Sequence, residues 1–596
     1  MSLSEKLVQI VVDLQESAPD RHGNGCSCHH SHQLPEDTWI QLQVLQALLC
    51  QRPPRPVFHP EVLEDIDSIL QHRVRQSLLT ASESIPPAAS LPESNVTLRL
   101  WKGDITTLSN TTAIVNAANS ALLGCFNPNH RCIDNVIHSV AGPRLREACY
   151  RLMSQQSHTE PVGAVKVTPG FNLPAQYVLH TVGPQLRNGR GGTAEPTEKQ
   201  KQQLAACYRS CLEAAENLPA LPDGRKILAF CCISTGVFAF PAKLAVEIAV
   251  DGVVKWCEDH PSTSLTDVIF NVFLESDWEL YQHKLAGLKY STLHLDPDLE
   301  SPALRHSSHA SIRKARQWIQ EADALIISAG AGLSAAIGLD YTSPALFKQH
   351  FPAFFPLGLR RLYDVFGFNG WDSGNQKWGY YFQELNMVRC WPASSVYAQL
   401  LQLASGFGAD YFIRTSNADG LFVANGFDPR RVSTPQGQYR YLQCLAKCRR
   451  NAVFESAPLV DAALPHIDPA TQCLTDSSMI PGCKYCGGEL TLCVRGGDYF
   501  NQAPFAAQER KYAEFLEQIA SESKTTVILE LGVGMNTPSV LRWHNEDLVE
   551  EYPQVKLIRA GIGASGTAPW HLEERNQAIG ILGDLKEIIP CLTSPR

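Results

Sequence analysis

The sequence predicts an α/β protein built in two successive halves, and three observations carry that reading. Short β-branched runs alternate with longer helical stretches from about residue 95 to residue 272. After a stretch at 295–308 rich in Asp, Pro, Ser and His, the alternation starts again. The second alternation opens on the strand-like run 324–328, which enters Gly330-Ala331-Gly332 and a helix start. Such a turn belongs to dinucleotide-binding crevices.

The chain has 596 residues, enough for two large α/β domains or several small ones. It is 44% hydrophobic and 19% charged, an ordinary composition for a packed globular protein. The formal net charge of -9 gives no basic footprint, so nucleic acid is not an expected partner. No apolar run is long enough to span a bilayer, and no membrane partner is expected. The first twenty residues carry acids early and lack a basic leader pattern; the final Thr-Ser-Pro-Arg is not a lipidation signal. A reducing compartment is therefore expected, the cytoplasm by default, with a mitochondrial pool left open. The 19 cysteines, an odd number, then read as thiols and metal ligands.

Taken in order, 38–79 reads as amphipathic helix broken at Arg52-Pro53-Pro54, and 82–92 as a linker rich in Ser, Pro and Ala. Strands are predicted at 96–100, 113–116, 177–182, 227–233 and 268–272, with helices over 133–153 and 241–258. In the second half, buried strands are predicted at 324–328, 411–414, 527–531 and 556–559. The Cys- and His-rich segment 26–32 sits among Gly, Ser and Pro and reads as a mobile loop.

Four segments mark the first site. Gly103-Asp104-Ile105-Thr106 precedes Ile114-Val115-Asn116-Ala117-Ala118-Asn119-Ser120; Tyr177 to Pro184 and Ile233-Ser234-Thr235-Gly236-Val237-Phe238 follow. In this order the segments resemble a macrodomain, which implies a mixed sheet flanked by helices and an ADP-ribose pocket. Asp104 would accept from the adenine amino group and Asn119 would bind the distal ribose, with Ile105 and Asn116 also in the ADP-ribose-binding set. Ser234, Thr235, Gly236, Val237 and Phe238 form a turn whose backbone N–H groups could cradle a diphosphate. Where a glycine-rich loop is usual, this chain has Cys125, His130 and Cys132 followed by Asp134. That resembles a zinc-dependent macrodomain subclass. Three soft or imidazole donors leave one position open, as in catalytic rather than structural zinc. Asp134 would serve as base or ribose ligand. The helical region 38–79 resembles the N-terminal extension of the same subclass.

The second site begins at Gly330, Ala331, Gly332 and Ser334, continuing to Asp340 and Tyr341. With Ser416, Asn417 and Asp419, and a later loop Gly532-Val533-Gly534 leading to Asn536 and Thr537, these residues resemble the NAD site of sirtuins. Cys444, Cys448, Cys483 and Cys486 form two paired knuckles, the spacing of a closed structural zinc site, with Cys473 a spare that could compete. The resemblance implies NAD and two zinc ions as cofactors.

One departure decides the expected chemistry. Sirtuins place a His-Gly pair eight residues before the first zinc cysteine; here that pair is Gln436-Gly437. An amide cannot take a proton near neutral pH, so deacylation should be poor, while NAD cleavage can persist on Asn417 and Asp419. The peptide-clamping segment has also drifted, to Val494-Arg495-Gly496-Gly497-Asp498-Tyr499. These features resemble the class M sirtuins, in which a sirtuin attaches ADP-ribose and a macrodomain removes it. That resemblance also implies an ADP-ribosylated acceptor protein as partner, with lipoyl carrier proteins as one acceptor class.

The expected organisation is a helical extension over 1–90, a macrodomain over 91–295, a linker over 296–310, and a sirtuin-type Rossmann-like domain over 311–596 with a zinc module at 436–500. The expected function is transfer of ADP-ribose from NAD to a protein by one half and its hydrolysis by the other. The alternatives are an NAD-dependent deacylase joined to a reader of ADP-ribose or O-acyl-ADP-ribose, and a scaffold with two degenerate pockets.

Overall fold

The computed structural model of the protein describes residues 1–16, 36–130, 132–186, 195–292 and 310–593. The chain forms two compact units, Met1–His309 and Ala310–Arg596. The Cys- and His-rich segment 26–32 and the whole stretch 295–308 lie outside the described residues.

The first unit opens with three helices, Leu3–Glu16, Thr38–Gln51 and Pro60–Gln76. They pack through one apolar stripe each, with Leu7, Val11, Leu45, Ile66 and Ile69 fully buried. Behind them stands a seven-stranded mixed sheet in the order Pro87–Leu91, Val96–Lys102, Asp267–Val272, Ile227–Phe230, Ala113–Ala117, Tyr177–Thr181, Val165–Pro169. The five central strands run parallel, and the strand at each edge runs antiparallel to its neighbour. Their near-continuous apolar runs suit strands covered by helices on both faces.

Two expectations are corrected here. The segment 82–92 is not a linker: after a short turn it forms the edge strand Pro87–Leu91, paired antiparallel with Val96–Lys102. A proline is tolerated as the first residue of an edge strand, and Ala88, Ala89 and Leu91 are buried. Small residues and proline imitate a linker in composition while filling a narrow core margin. The single helix over 133–153 is instead two, Ile133–Ala141 and Pro143–Ser154. Gly142, at φ +85°, ends the first, and Pro143 starts the second where its missing N–H costs nothing.

The second unit centres on six parallel strands ordered Val432–Ser433, Tyr411–Thr415, Ala324–Ala329, Thr526–Leu531, Val555–Gly561, Ala578–Leu582. The chain order reverses beside Ala324–Ala329, which places a crevice at the carboxyl ends of that strand and Thr526–Leu531. Inside the sheet, Glu530 and Arg559 form a fully buried ion pair, and Asn545 donates to Glu530 at 2.7 Å and to Ser328 at 2.9 Å. That pairing keeps the two buried charges compensated. A separate antiparallel sheet is formed by Gly437–Cys444, Val453–Glu455 and Leu490–Val494, and its first strand ends on one of the predicted metal cysteines, Cys444.

Candidate active sites

In the first unit, the loops that follow the parallel strands enclose a cleft of about 780 Å³. Asn119 follows Ala113–Ala117, the turn at 234–238 follows Ile227–Phe230, and Phe273 and Asp277 follow Asp267–Val272. Gly183 fits against the turn so closely that a side chain there would meet Ser234 Oγ at 2.0 Å. Ser234 itself holds φ +66°, and its buried hydroxyl has no partner among the described residues. Gly236 has open space around its α carbon, which leaves its backbone accessible from the cleft. Ser234, Thr235, Gly236, Val237 and Phe238 thus all line the cleft.

Asp134 sits on the first turn of Ile133–Ala141, 5% exposed. Its carboxyl accepts from Asn116 Nδ2 at 2.8 Å and from Asn119 Nδ2 at 3.1 Å. Burial pushes it up to about 6, and the two amides and the nearby Arg146 oppose that rise. Behind it, His138 Nε2 lies 3.6 Å from the carboxylate. Burial holds His138 well below its usual range, and neither ring nitrogen has a hydrogen-bond partner among the described residues.

Cys125, His130 and Cys132 converge on the same cleft, with their ligand atoms within 4.8 Å of one another and Cys125 Sγ 3.4 Å from His130 Nδ1. The loop that carries them is fastened from behind by Arg146. Its guanidinium donates to the carbonyls of Leu123 at 2.8 Å, Leu49 at 2.9 Å, Cys50 at 3.0 Å and Arg52 at 2.7 Å. No spacing in the sequence signals this clasp, because its partners come from the end of the second helix and from the loop of Cys125. A further buried group, His138, Cys149 and His180, was equally invisible, being spread over two helices and a strand.

Three more residues expected to bind ADP-ribose are not among those that line this cleft. Asp104 is exposed and caps the turn Ile105–Thr107, accepting from Thr106 N at 2.9 Å and Oγ1 at 2.7 Å. Ile105 is 1% exposed in the core. Asn116 is fully buried and spends its amide on Asp134 and on His180 Nδ1, at 3.1 Å. None of the three lines the cleft. For Asp104 and Ile105 the reason is local turn chemistry; for Asn116 it is strand alternation, which turns its side chain away from the ligand space.

In the second unit, the two glycine loops meet backbone to backbone. A Cβ on Gly330 would lie 2.6 Å from Gly532 O, and one on Gly332 would lie 2.7 Å from Gly532 Cα. Gly532 itself has φ +63°. Ala331 begins the short helix Ala331–Ala336, while Val533 is buried, Gly534 half-buried, and Asn536 and Thr537 exposed on the facing loop. Ser416 follows Tyr411–Thr415 and donates its N–H to Ala329 O at 3.1 Å. Asp340 accepts from Thr342 N at 2.8 Å, and Tyr341 is buried beside Tyr363 and Tyr439, with ring centroids 5.5 and 6.4 Å away.

Asn417, Ser334 and Asp419 form one hydrogen-bonded line. Asn417 Nδ2 donates to Gly330 O at 2.9 Å and to Ser334 Oγ at 3.1 Å; Ser334 then donates to Asp419 Oδ2 at 2.6 Å. Burial raises the Asp419 carboxyl above the usual carboxylate range. Gln436 precedes Gly437, whose φ of +96° and 2.1 Å Cβ clearance to Cys493 O admit only glycine. The amide oxygen of Gln436 is buried without a partner among the described residues.

Cys444, Cys448, Cys483 and Cys486 also gather within 4.8 Å, with Cys444–Cys486 and Cys448–Cys483 sulfur distances of 3.6 Å. Four thiols at this separation fit a closed tetrahedral shell. Cys473 stands outside that group, its thiol donating to Thr471 O at 3.3 Å.

A Macro domain family model matches residues 115–249. The chain is 48% identical over 600 residues to a Fusarium oxysporum f. sp. cubense protein named "Probable bifunctional ADP-ribose hydrolase/ADP-ribosyltransferase", covering 99% of this chain and 98% of that one. It is 42% identical over 282 residues to a Treponema medium "Protein-ADP-ribose hydrolase", covering 47% of this chain and 98% of the relative. Among solved structures, the Oceanobacillus iheyensis macrodomain with ADP matches at 34% identity with a TM-score of 0.27, covering 32% of this chain and 90% of that one. The full-length match with the Fusarium protein and the Macro model within the first unit together place this chain in the family of bifunctional ADP-ribose hydrolase/ADP-ribosyltransferases.

Proposed function

We propose that the second unit transfers ADP-ribose from NAD to a protein and that the first unit hydrolyses the resulting mono-ADP-ribose bond. The observation that carries this reading is the intact Asn417–Ser334–Asp419 line, in a chain that has Gln436, a group that cannot act as a base, where sirtuins have histidine. Asn417 and Asp419 would hold the ribose and carboxamide of NAD while the positively charged nicotinamide leaves as a neutral molecule. The N–H groups of Gly330, Gly332 and Gly532 donate to the carbonyls of Leu531, Gly532 and Ala560, so the diphosphate would rest on those of Ala331, Val533 and Gly534. The name of the Fusarium relative supports two activities in one chain, and that of the Treponema relative supports a protein-linked substrate for the first unit.

In the first unit, Ser234 to Phe238 would hold the diphosphate and Asn119 the distal ribose. Cys125, His130 and Cys132 offer a fitting donor set for zinc, two thiols and an imidazole facing the cleft. Bound there, the ion would polarise the distal ribose. Asp134, fixed by Asn116 and Asn119, would orient water against the scissile C1″ bond. Cys444, Cys448, Cys483 and Cys486 would hold a second zinc that closes the small sheet. Lipoylated carrier proteins are one acceptor class consistent with the class M resemblance.

The test is to incubate the whole chain with NAD and an acetyl-lysine peptide. Nicotinamide release without matching loss of acetyl groups is expected. Acetyl loss in step with nicotinamide release would overturn the transferase reading in favour of a deacylase joined to a reader.

A further inference from the structure

In the first unit, a line of buried hydrogen bonds runs from the sheet edge to Asp134. His180, on the strand Tyr177–Thr181, stands directly opposite Asn116 on Ala113–Ala117. Their side chains meet, with Asn116 Nδ2 lying 3.1 Å from His180 Nδ1. From the edge strand Val165–Pro169, the Thr168 hydroxyl lies 2.9 Å from His180 Nε2, and Cys149 Sγ is a more distant neighbour at 3.7 Å. At the other end, Asn116 Nδ2 donates to Asp134 Oδ1 at 2.8 Å. Asn116, His180 and Thr168 are all buried and do not line the cleft, whereas Asp134 does.

The protons along this line have one consistent arrangement. The Asn116 amide has two N–H bonds, one donated to Asp134 and one aimed at His180. Nδ1 of His180 must therefore accept, and the ring proton sits on Nε2, where Thr168 Oγ1 accepts it. Burial pushes the ring down to about 3, so it stays neutral and keeps a nitrogen that can accept. The opposite tautomer would set a proton on Nδ1 against the Asn116 N–H. The amide would then have to turn over and present its oxygen to the Asp134 carboxylate. A buried carboxylate would lose a donor and face an oxygen instead. In the observed orientation the amide oxygen has no partner, so among the described residues Asp134 and His180 alone settle which way the amide faces.

We propose that His180 is a positioning residue for hydrolysis in the first unit: with its proton held on Nε2 by Thr168, it fixes the Asn116 amide, which in turn aims the Asp134 carboxylate. His180 itself stays out of contact with the substrate. The assignment rests on the hydrolase reading above.

Asparagine and glutamine at position 180 separate positioning from packing. An asparagine amide oxygen can stand near the place of Nδ1 and accept from Asn116. A glutamine amide stands near the place of Nε2 and leaves that of Nδ1 without an acceptor. Both remove the ring, so loss of packing alone would harm them alike. The full chain, supplied with zinc, is given peptides carrying ADP-ribose on aspartate, serine or arginine. Single-turnover release of ADP-ribose is followed against enzyme concentration, which gives the rate of the bound peptide and its dissociation constant separately. His180→Asn is expected to stay within about threefold of the wild-type rate and His180→Gln to lose about tenfold or more, with dissociation constants within about twofold in both. Equal rates in the two variants, or a loss that lies in the dissociation constant, would overturn the assignment. Should His180→Gln fail to fold, Thr168→Val decides, because it removes the acceptor of the Nε2 proton with little change of shape. A rate about threefold lower or more at an unchanged dissociation constant is then expected, and the wild-type rate would overturn the assignment. A wild-type chain that releases ADP-ribose from none of the peptides would sink the hydrolase reading, and this assignment with it.

Discussion

Cys50, at the end of the second helix, donates its thiol to the carbonyl oxygen of Cys125 at 3.1 Å. The N-terminal helices therefore touch the backbone of the loop that carries Cys125, His130 and Cys132. Arg146 reinforces the joint by donating to carbonyls on both sides of it.

Arg146 is 6% exposed, and its removal would leave several buried carbonyl oxygens unpaired. Arg146→Met should cost the first unit roughly 2–4 kcal/mol. The metal loop should also loosen. Thermal unfolding of the full chain, with metal content measured beside it, checks both: a lower transition for the first unit and a reduced metal share are expected, while NAD-dependent nicotinamide release stays unchanged.

Metal content separates the two donor sets. The account expects two zinc ions per chain, falling to one in Cys132→Ala and to one in Cys483→Ser. Cys132→Ala should leave the fold intact and abolish ADP-ribose removal. Cys483→Ser should disturb the small antiparallel sheet instead, lowering the thermal transition of the second unit. Elemental analysis of each purified variant decides it.

The glycine loops set a steric test. Gly330→Ala would place a methyl group 2.6 Å from Gly532 O, a separation that real Cβ atoms do not show. The loops must part, at a cost on the order of 1–3 kcal/mol. Loss of NAD binding by at least tenfold, followed by calorimetric titration, is the expected result; Gly420→Ala, where φ is +72° but no atom crowds the position, should bind NAD far better.

Glu384, buried on the helix Gly374–Arg389, predicts a stability slope. Its carboxyl titrates near 8 in the fold, against about 4.3 in an unfolded chain. The folded state therefore binds more protons than the unfolded one between those values. The stability that Glu384 contributes is complete below about pH 4.3 and is lost as pH rises to about 8. Glu384→Gln cannot ionise, so its stability relative to wild type should grow across that window, by on the order of 1 kcal/mol or more. Denaturant unfolding at pH 5.5 and pH 8 measures the difference.

Much of this was legible in the sequence, and what escaped has physical reasons. Strand-turn-helix alternation located the two large sheets, because parallel strands write continuous apolar runs. Cys125, His130, Cys132 and Asp134 lie within ten residues, so their shared cleft could be read from spacing. The strand Pro87–Leu91 was hidden because its small residues and proline look like a linker until a neighbour pairs with it. The side chain of Asn116 could not be aimed from its motif alone, and its amide supports Asp134 from behind. Arg146 and Glu384 owe their character to burial among residues distant in sequence, which no local pattern records.

The central claim is that one chain both attaches and removes ADP-ribose. The most direct measurement takes wild type and Cys132→Ala with NAD and a panel of carrier proteins, with and without lipoyl groups, and reads intact masses. The account predicts a gain of one ADP-ribose unit on an acceptor that is stronger with Cys132→Ala and that disappears when wild type is added afterwards. A gain that wild type cannot remove, or no gain with either protein while NAD is bound, would contradict it.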